Sequence, residues 1–149
     1  MTKTNQLHEF VEVMHHQHVH LHTSMCSILR MLTERRGPPG HLADRMLLFA
    51  QQVEEHFRGE EEPGGFFQQA LSRDPRFAHR VNQLRTGHQG LRSEVGRLIE
   101  MAHVEPRDAA WWDRLEKECH RFSSDLSRHE FEETALIQEM YSDDIGVED

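Results

Sequence analysis

The apolar residues of this chain recur at alternating steps of three and four positions, and this spacing holds in four long segments. The first segment carries Leu7, Val11, Met14, His18, Leu21, Met25, Ile28 and Leu32, and the second carries Leu42, Met46, Phe49, Val53, His56 and Glu60. The third carries Phe77, Val81, Leu84, His88, Leu91, Val95, Leu98 and Ala102, and the fourth carries Trp112, Leu115, Cys119, Phe122, Leu126, His129, Glu133, Leu136 and Met140. Such a stripe lies along one face of an α-helix and packs against similar stripes. No run alternates between apolar and polar residues as a strand does, so we expect an all-α chain.

Three turn signals separate these segments. The stretch GPPG at 37–40 follows the first segment, and Asp74 with Pro75 suits the cap and first position of a helix before the third. The stretch VEPRD ends the third segment, and its Asp108 can cap the fourth. Because short connections make neighbouring helices antiparallel, we predict an up-down-up-down four-helix bundle. It would form one domain over residues 1–149, with an acidic tail from about residue 142.

Length and charge narrow the possible partners. A chain of 149 residues has the size of one domain, and its net charge of −9 argues against binding to a nucleic-acid backbone. No apolar run approaches the roughly 20 residues that span a bilayer, so no membrane partner is expected. The first ten residues, MTKTNQLHEF, lack the pattern of a signal peptide, which predicts a cytoplasmic location.

The two cysteines, Cys26 and Cys119, show no metal-binding or redox spacing. We interpret them as free, mostly buried thiols, with a regulatory disulfide as the alternative.

Each apolar stripe is interrupted by one histidine, and in two stripes a glutamate follows four positions later. The interrupting residues are His18, His56, Glu60, His88, His129 and Glu133. An imidazole or carboxylate on an apolar face is unfavourable unless it is paired or binds a metal. A single such histidine is commonly a hydrogen-bonded core residue, but four in four helices beside two carboxylates are hard to explain that way.

The stretches HFRGE and HEFEE place an imidazole and a carboxylate one helical turn apart on the same face. Glu132 is an alternative to Glu133, but it lies off the stripe. Mixed imidazole and carboxylate donors suit iron, manganese or zinc. Counted from the turns, three of the histidines fall at similar heights along the bundle, whereas His129 lies farther from its turn than His88 does.

The first segment contains HHQHVHLH, with five histidines in eight positions. His18 lies on the stripe, and His22 lies one turn further at its edge, so both are candidate ligands. Seven other histidines are predicted on the solvated surface: His8, His15, His16, His20, His79, His103 and His120. The stretch GEEEPGG at 59–65 should loosen or kink the second helix just past the candidate ligands, and the alternative is that it widens a route to the site.

The pattern of His18, HFRGE, His88 and HEFEE resembles the hemerythrin-like (HHE cation-binding) family over about the whole chain. The resemblance implies a bundle with a non-haem centre of two iron ions. It implies the ligands His18, His56, Glu60, His88, His129 and Glu133. The chain departs from the oxygen carriers of this family at Arg92, where they have a second histidine on the third helix. This difference argues against reversible oxygen carriage unless His22 supplies the missing nitrogen.

Three functions remain open from the sequence. The first is a di-iron protein that binds oxygen, nitric oxide or peroxide for sensing, storage or redox protection. The second is a redox enzyme with ferroxidase or peroxidase-like chemistry at the same centre. The third is an interaction module in which metal only holds the bundle together. A protein partner or an oligomer would be needed for a signalling output.

Overall fold

Almost the whole chain is helical. The computed structural model describes residues 3–148, and it describes the side chains of residues 6–142. The elements are α1 Lys3–Glu34, α2 Pro39–Glu61, α3 Phe66–Arg73, a 3-10 turn Pro75–Phe77, α4 Ala78–His103 and α5 Ala109–Glu148. The described residues contain no strand, which confirms the all-α prediction. The predicted acidic tail is helical in its backbone as far as Glu148, and its side chains beyond Ser142 lie outside the described residues.

Four long helices pack against one another around two apolar clusters. α1 contacts α2 and α5, and α4 contacts the same two helices. The first cluster includes Leu21, Met25, Ile28, Phe49, Val53, Leu91, Val95, Leu98, Leu115, Phe122 and Leu126. The second includes Leu7, Met14, Phe66, Phe67, Phe77, Val81, Leu84, Leu136 and Met140. The predicted stripes therefore supply most of the core.

Two aspartates end the turns as predicted. The Oδ1 atom of Asp108 accepts from the backbone N–H of Trp111 at 3.0 Å, which caps α5. The Oδ1 atom of Asp74 accepts from the N–H of Arg76 at 2.9 Å. This second cap begins the 3-10 turn, while α4 begins three residues later at Ala78.

A short helix that the sequence pattern did not predict follows the second long helix. The stretch GEEEPGG was expected to loosen or kink that helix, but α2 ends at Glu61 instead. Gly64 has a φ of 81°, and a Cβ atom at Gly65 would lie 2.8 Å from the carbonyl oxygen of Glu60. Only glycine permits this close turn, which sends the chain into α3 and buries Phe66 and Phe67.

The aromatic residues near the helix ends have packing roles. Trp111 is buried, and its Nε1–H donates to the carbonyl oxygen of Met101 at 2.9 Å. Tyr141 packs against the second cluster. No helix in residues 3–148 combines the length and the apolar character needed to cross a bilayer.

The two cysteines are free, but only one of them is buried. Cys119 belongs to the first apolar cluster, whereas Cys26 is exposed on α1. The prediction of two mostly buried thiols is therefore wrong for Cys26. Met25 lies on the buried apolar face of α1, and the next residue, Cys26, lies on an exposed face of the same helix.

Candidate metal centre

The residues that interrupt the four stripes meet inside the bundle. In α1, α4 and α5 the interrupting histidine lies between residues of the first and second apolar clusters, whereas in α2 His56 is flanked by Val53 and Phe57 of the first cluster. The polar group thus lies between the two clusters along three of the four long helices. The buried members are His56, Glu60, His88, His129 and Glu133. His18 is partly buried beside them. The core thus holds a compact group of imidazoles and carboxylates.

These side chains form two groups that share one residue. One ligand atom from each of His18, His56, Glu60 and Glu133 lies within 4.8 Å of the others. The same holds for His88, His129 and Glu133. Glu133 therefore faces both groups, and each of them has the size of a metal site.

The carboxylates of Glu60 and Glu133 lie between the two groups and contact histidines of both. Oε2 of Glu133 lies 3.1 Å from Nε2 of His18, and Oε1 lies 2.6 Å from Nε2 of His129. Oε1 of Glu60 lies 3.0 Å from Nε2 of His56 and 3.5 Å from Nε2 of His88. Each glutamate thus touches imidazoles from both groups.

Most of the facing atoms make no hydrogen bond despite these short distances. The buried atoms without a hydrogen-bond partner include His56 Nε2, His88 Nε2, His129 Nε2, Glu133 Oε1 and both carboxylate oxygens of Glu60. Buried polar atoms are normally paired, because leaving one unpaired is destabilising by about 1–3 kcal/mol. Converging lone pairs of nitrogen and oxygen would be satisfied by a cation, so the donors fit a metal site.

Burial and the neighbouring charges shift the titration of this group in opposite directions. Burial opposes the ionisation of Glu133, but contacts with His129, His18 and His88 outweigh it and hold its pKa well below the usual value. Burial disfavours the cationic form of His88, yet contacts with Glu133, Glu60 and Glu61 raise its pKa to about 9. The carboxylates therefore make the interior of the site attractive to positive charge.

The outer nitrogens of two histidines are held by residues that the sequence analysis did not single out. His56 Nδ1–H donates to Oε1 of Gln17 at 2.8 Å. His88 Nδ1–H donates to Oε2 of Glu61 at 3.0 Å. Such bonds fix the tautomer and direct Nε2 inward. The sequence offered one sign of these roles, which is that Gln17 and Glu61 each adjoin a candidate ligand.

Arg92 anchors the carboxylate that holds His88. Its Nη2 and Nη1 donate to the two oxygens of Glu61 at 2.6 and 2.9 Å, and its Nε donates to Glu54 at 2.7 Å. Burial of Glu61 opposes ionisation, but Arg92 and His88 lower its pKa. Arg92 is thus engaged in ion pairs outside the two ligand groups.

Aromatic rings and one glycine shape the side of the site near His88. The ring of Phe57 stacks on His88 at 4.0 Å between centroids, and Phe67 lies 5.1 Å from His88. Gly87 faces His129, where a Cβ atom would lie 2.6 Å from Nδ1 of the ring. The absent side chain gives that imidazole its space.

His129 lies farther along the chain from the turn at 104–108 than His88 does, but the two residues come together in the structure. The centroids of their rings are 4.8 Å apart. The difference expected from the sequence therefore does not separate the two side chains.

His22 lies outside both groups. Its side chain is exposed, and its Nε2 atom lies 3.6 Å from Sγ of Cys26. Glu132 is exposed as well, so the stripe of α5 presents Glu133 to the interior. The other histidines predicted on the surface are exposed, as expected: His8, His15, His16, His20, His79, His103 and His120.

Comparison of the chain with models of protein families, with curated proteins and with solved structures gave no match. A functional assignment therefore rests on the donor atoms and their geometry.

Proposed function

We propose that this chain is a hemerythrin-like protein whose bundle holds two iron ions and binds oxygen or a related small molecule. The observation that carries the proposal is the position of Glu133 in both buried ligand groups. A carboxylate with one oxygen towards each group has the arrangement of a bridge between two ions. Glu60 supports the same view, because it lies near both His56 and His88.

The chemistry of the donors supports iron. Four imidazoles offer one nitrogen each and two carboxylates offer two oxygens each, while two six-coordinate ions have about twelve positions. Several positions would therefore remain for solvent or for a small molecule. Bound iron would supply the redox chemistry and the open coordination positions. Manganese and zinc accept similar donors and are the alternatives that metal analysis must separate.

An antiparallel up-down bundle is part of this proposal. Contacts between α1 and α2 join Gln17 to His56 and Ser27 to Arg45, so residue numbers rise along one helix as they fall along the other. Trp111 contacts Met101 near the turn between α4 and α5. In this arrangement the four histidines reach one level of the bundle.

The protein residues around the centre have their own roles. Gln17 and Glu61 would hold the imidazoles of His56 and His88 with Nε2 pointing inward. The two apolar clusters adjoin the group and would limit the access of water from those directions. Function as a carrier, sensor or store of the small molecule would depend on how well these residues limit oxidation of the centre.

A redox enzyme is the second candidate, and the position of His22 favours it. His22 is exposed, and Arg92 is engaged with Glu61 and Glu54, so neither residue is placed as a fifth nitrogen ligand. More coordination positions would then be open to peroxide or nitric oxide than in an oxygen carrier. This geometry favours reaction at the centre over reversible binding.

Metal analysis and absorption spectra of anaerobically prepared protein, before and after exposure to air, test the proposal. We expect two ions per chain and absorption bands of an oxo-bridged iron pair. The variant Glu133→Ala should lose most of the metal, whereas Glu132→Ala, at the exposed neighbouring position, should retain it. One tightly bound ion per chain, or a colourless zinc protein, would contradict the di-iron proposal.

A further inference from the structure

A cavity between α1 and α2 lies on the outer side of the candidate metal centre. It has a volume of about 510 Å³ and is open to solvent on one side. The polar residues along it are His16, Gln17, His20, Gln52, Glu55 and His56. We call it the α1–α2 groove. It contains part of the histidine-rich stretch of α1 that the buried centre does not use.

The groove offers metal donors from both of its walls. His16 and His20 stand four residues apart on α1, so their imidazoles lie one turn apart on one face. Both side chains are exposed, and the exposed Glu55 faces the groove from α2. The donor atoms of these three residues do not form a group within 4.8 Å as those of the buried residues do, so binding requires rotation of the exposed side chains towards one ion. Two imidazoles and a carboxylate then form a donor set that suits divalent transition metals.

A buried polar atom in the same groove lacks a partner. The Oε1 atom of Gln52 is buried and has no hydrogen bond. A cation or a water molecule bound to a cation would satisfy it. This observation is independent of the spacing of the histidines.

The groove also reaches the buried centre. His56 lines the groove and belongs to the ligand group with His18, Glu60 and Glu133. Gln17 holds His56 Nδ1 from the groove side at 2.8 Å. Rotation of this glutamine side chain would remove the hydrogen bond to Nδ1 of His56, which lines the groove and also belongs to the buried ligand group.

We propose that the α1–α2 groove is a loading site, which binds a divalent transition-metal cation through His16, His20 and Glu55 and transfers it past His56. The transfer step rests on the proposed metal centre, but binding in the groove does not. Exposed donors with free rotation bind more weakly than buried ones that are already oriented. The groove therefore holds the ion in transit, and the buried residues retain it.

Titration with Co²⁺ of metal-free, full-length protein tests this proposal. We expect two tightly bound ions and a third, weaker one. The double variant His16→Gln/His20→Gln should lose the third ion and retain the first two. It should load about tenfold more slowly, since local enrichment of a counter-ion raises association rates by a factor of 10 or more.

The double variant His8→Gln/His15→Gln is the matched control, because it removes two exposed histidines of α1 that do not line the groove. It should keep both the third ion and the loading rate. Glu55→Gln should lower the affinity for the third ion without altering the buried ligands.

The outcomes separate the two proposals. A third ion that persists in His16→Gln/His20→Gln would overturn the groove site, and its loss with an unchanged loading rate would overturn the transfer step. If the wild-type protein binds only the weak ion, and the His16→Gln/His20→Gln variant loses it, the groove site stands while the buried centre fails.

Discussion

Gly87 on α4 faces the imidazole of His129 so closely that a Cβ atom there would lie 2.6 Å from Nδ1 and 2.9 Å from Cε1. The ring is confined on its other side, since its Nε2 atom lies 2.6 Å from Glu133. We therefore expect Gly87→Ala to displace His129 and to lower metal content, as measured by elemental analysis of the purified variant.

Gly90 provides the control for this prediction. It lies on the same helix, and a Cβ atom there would meet nothing within 4 Å. Gly90→Ala should keep the metal and raise the free energy of unfolding by about 0.5–1 kcal/mol, because alanine restricts the unfolded chain more than glycine. Equal metal content in the two variants would show that the close approach at Gly87 is not critical.

Glu61 should orient His88 for metal binding through the hydrogen bond at 3.0 Å. Glu61→Gln weakens this acceptor, and Arg92→Met removes the guanidinium that holds it in place. Substitution of a residue that hydrogen-bonds to a metal-binding imidazole typically lowers metal affinity by about 10–100-fold. We expect both variants to lose affinity in a chelator competition assay. Arg97→Met is the control, because Arg97 is exposed and its Nη2 atom lies 3.5 Å from Glu118, away from the ligand groups. A similar loss there would point to a general charge effect.

His22 should be dispensable for the centre, whereas His18 should not. His22 is exposed beside Cys26, while His18 Nε2 lies 3.1 Å from Glu133. We expect His22→Ala to retain the metal content, the absorption spectrum and the rate of oxidation in air. His18→Ala should reduce metal content. A changed oxidation rate in His22→Ala would indicate that this side chain turns inward when metal is bound.

Removal of the metal should lower the melting temperature but leave the protein helical. A ligand that binds only the folded state stabilises it by about 2.7 kcal/mol at a free concentration of one hundred times its Kd. The two apolar clusters hold the bundle without this contribution. Circular dichroism of chelator-treated protein measures both effects. An unfolded spectrum at room temperature would mean that the apolar core is insufficient alone.

The two cysteines should differ in their reaction with iodoacetamide. Burial raises the pKa of the Cys119 thiol to about 12, and the reactive form of cysteine is the thiolate. Cys119 should therefore stay unmodified from neutral pH to about pH 9 in the folded protein, while the exposed Cys26 is alkylated. Peptide mass spectrometry before and after denaturation measures this contrast. Alkylation of Cys119 in the native state would reveal local opening of α5.

The helices could be predicted from the sequence because their cause is local. The spacing of apolar residues, the cap at Asp108 and the break at 37–40 each act within a few residues. The candidate ligands could be predicted for the same reason, since His56 with Glu60 and His129 with Glu133 share a face by helical geometry alone. The sequence also indicated a break near the end of α2, but it did not predict that a separate short helix, α3, would follow. Whether GEEEPGG kinks a helix or ends it depends on where Phe66 and Phe67 can be buried.

The sequence by itself thus determined four amphipathic helices and the polar residues that interrupt their apolar faces. Only the tertiary structure decided which of these residues meet, because His18 and Glu133 are 115 positions apart and their contact depends on how α1 packs against α5. It also decided that His22 lies outside the buried groups, that Gln17 and Glu61 hydrogen-bond to the imidazoles of His56 and His88, and that Gly87 makes room for His129. Rotation of a helix by a fraction of a turn changes every such contact, and that rotation is set by packing of the whole core.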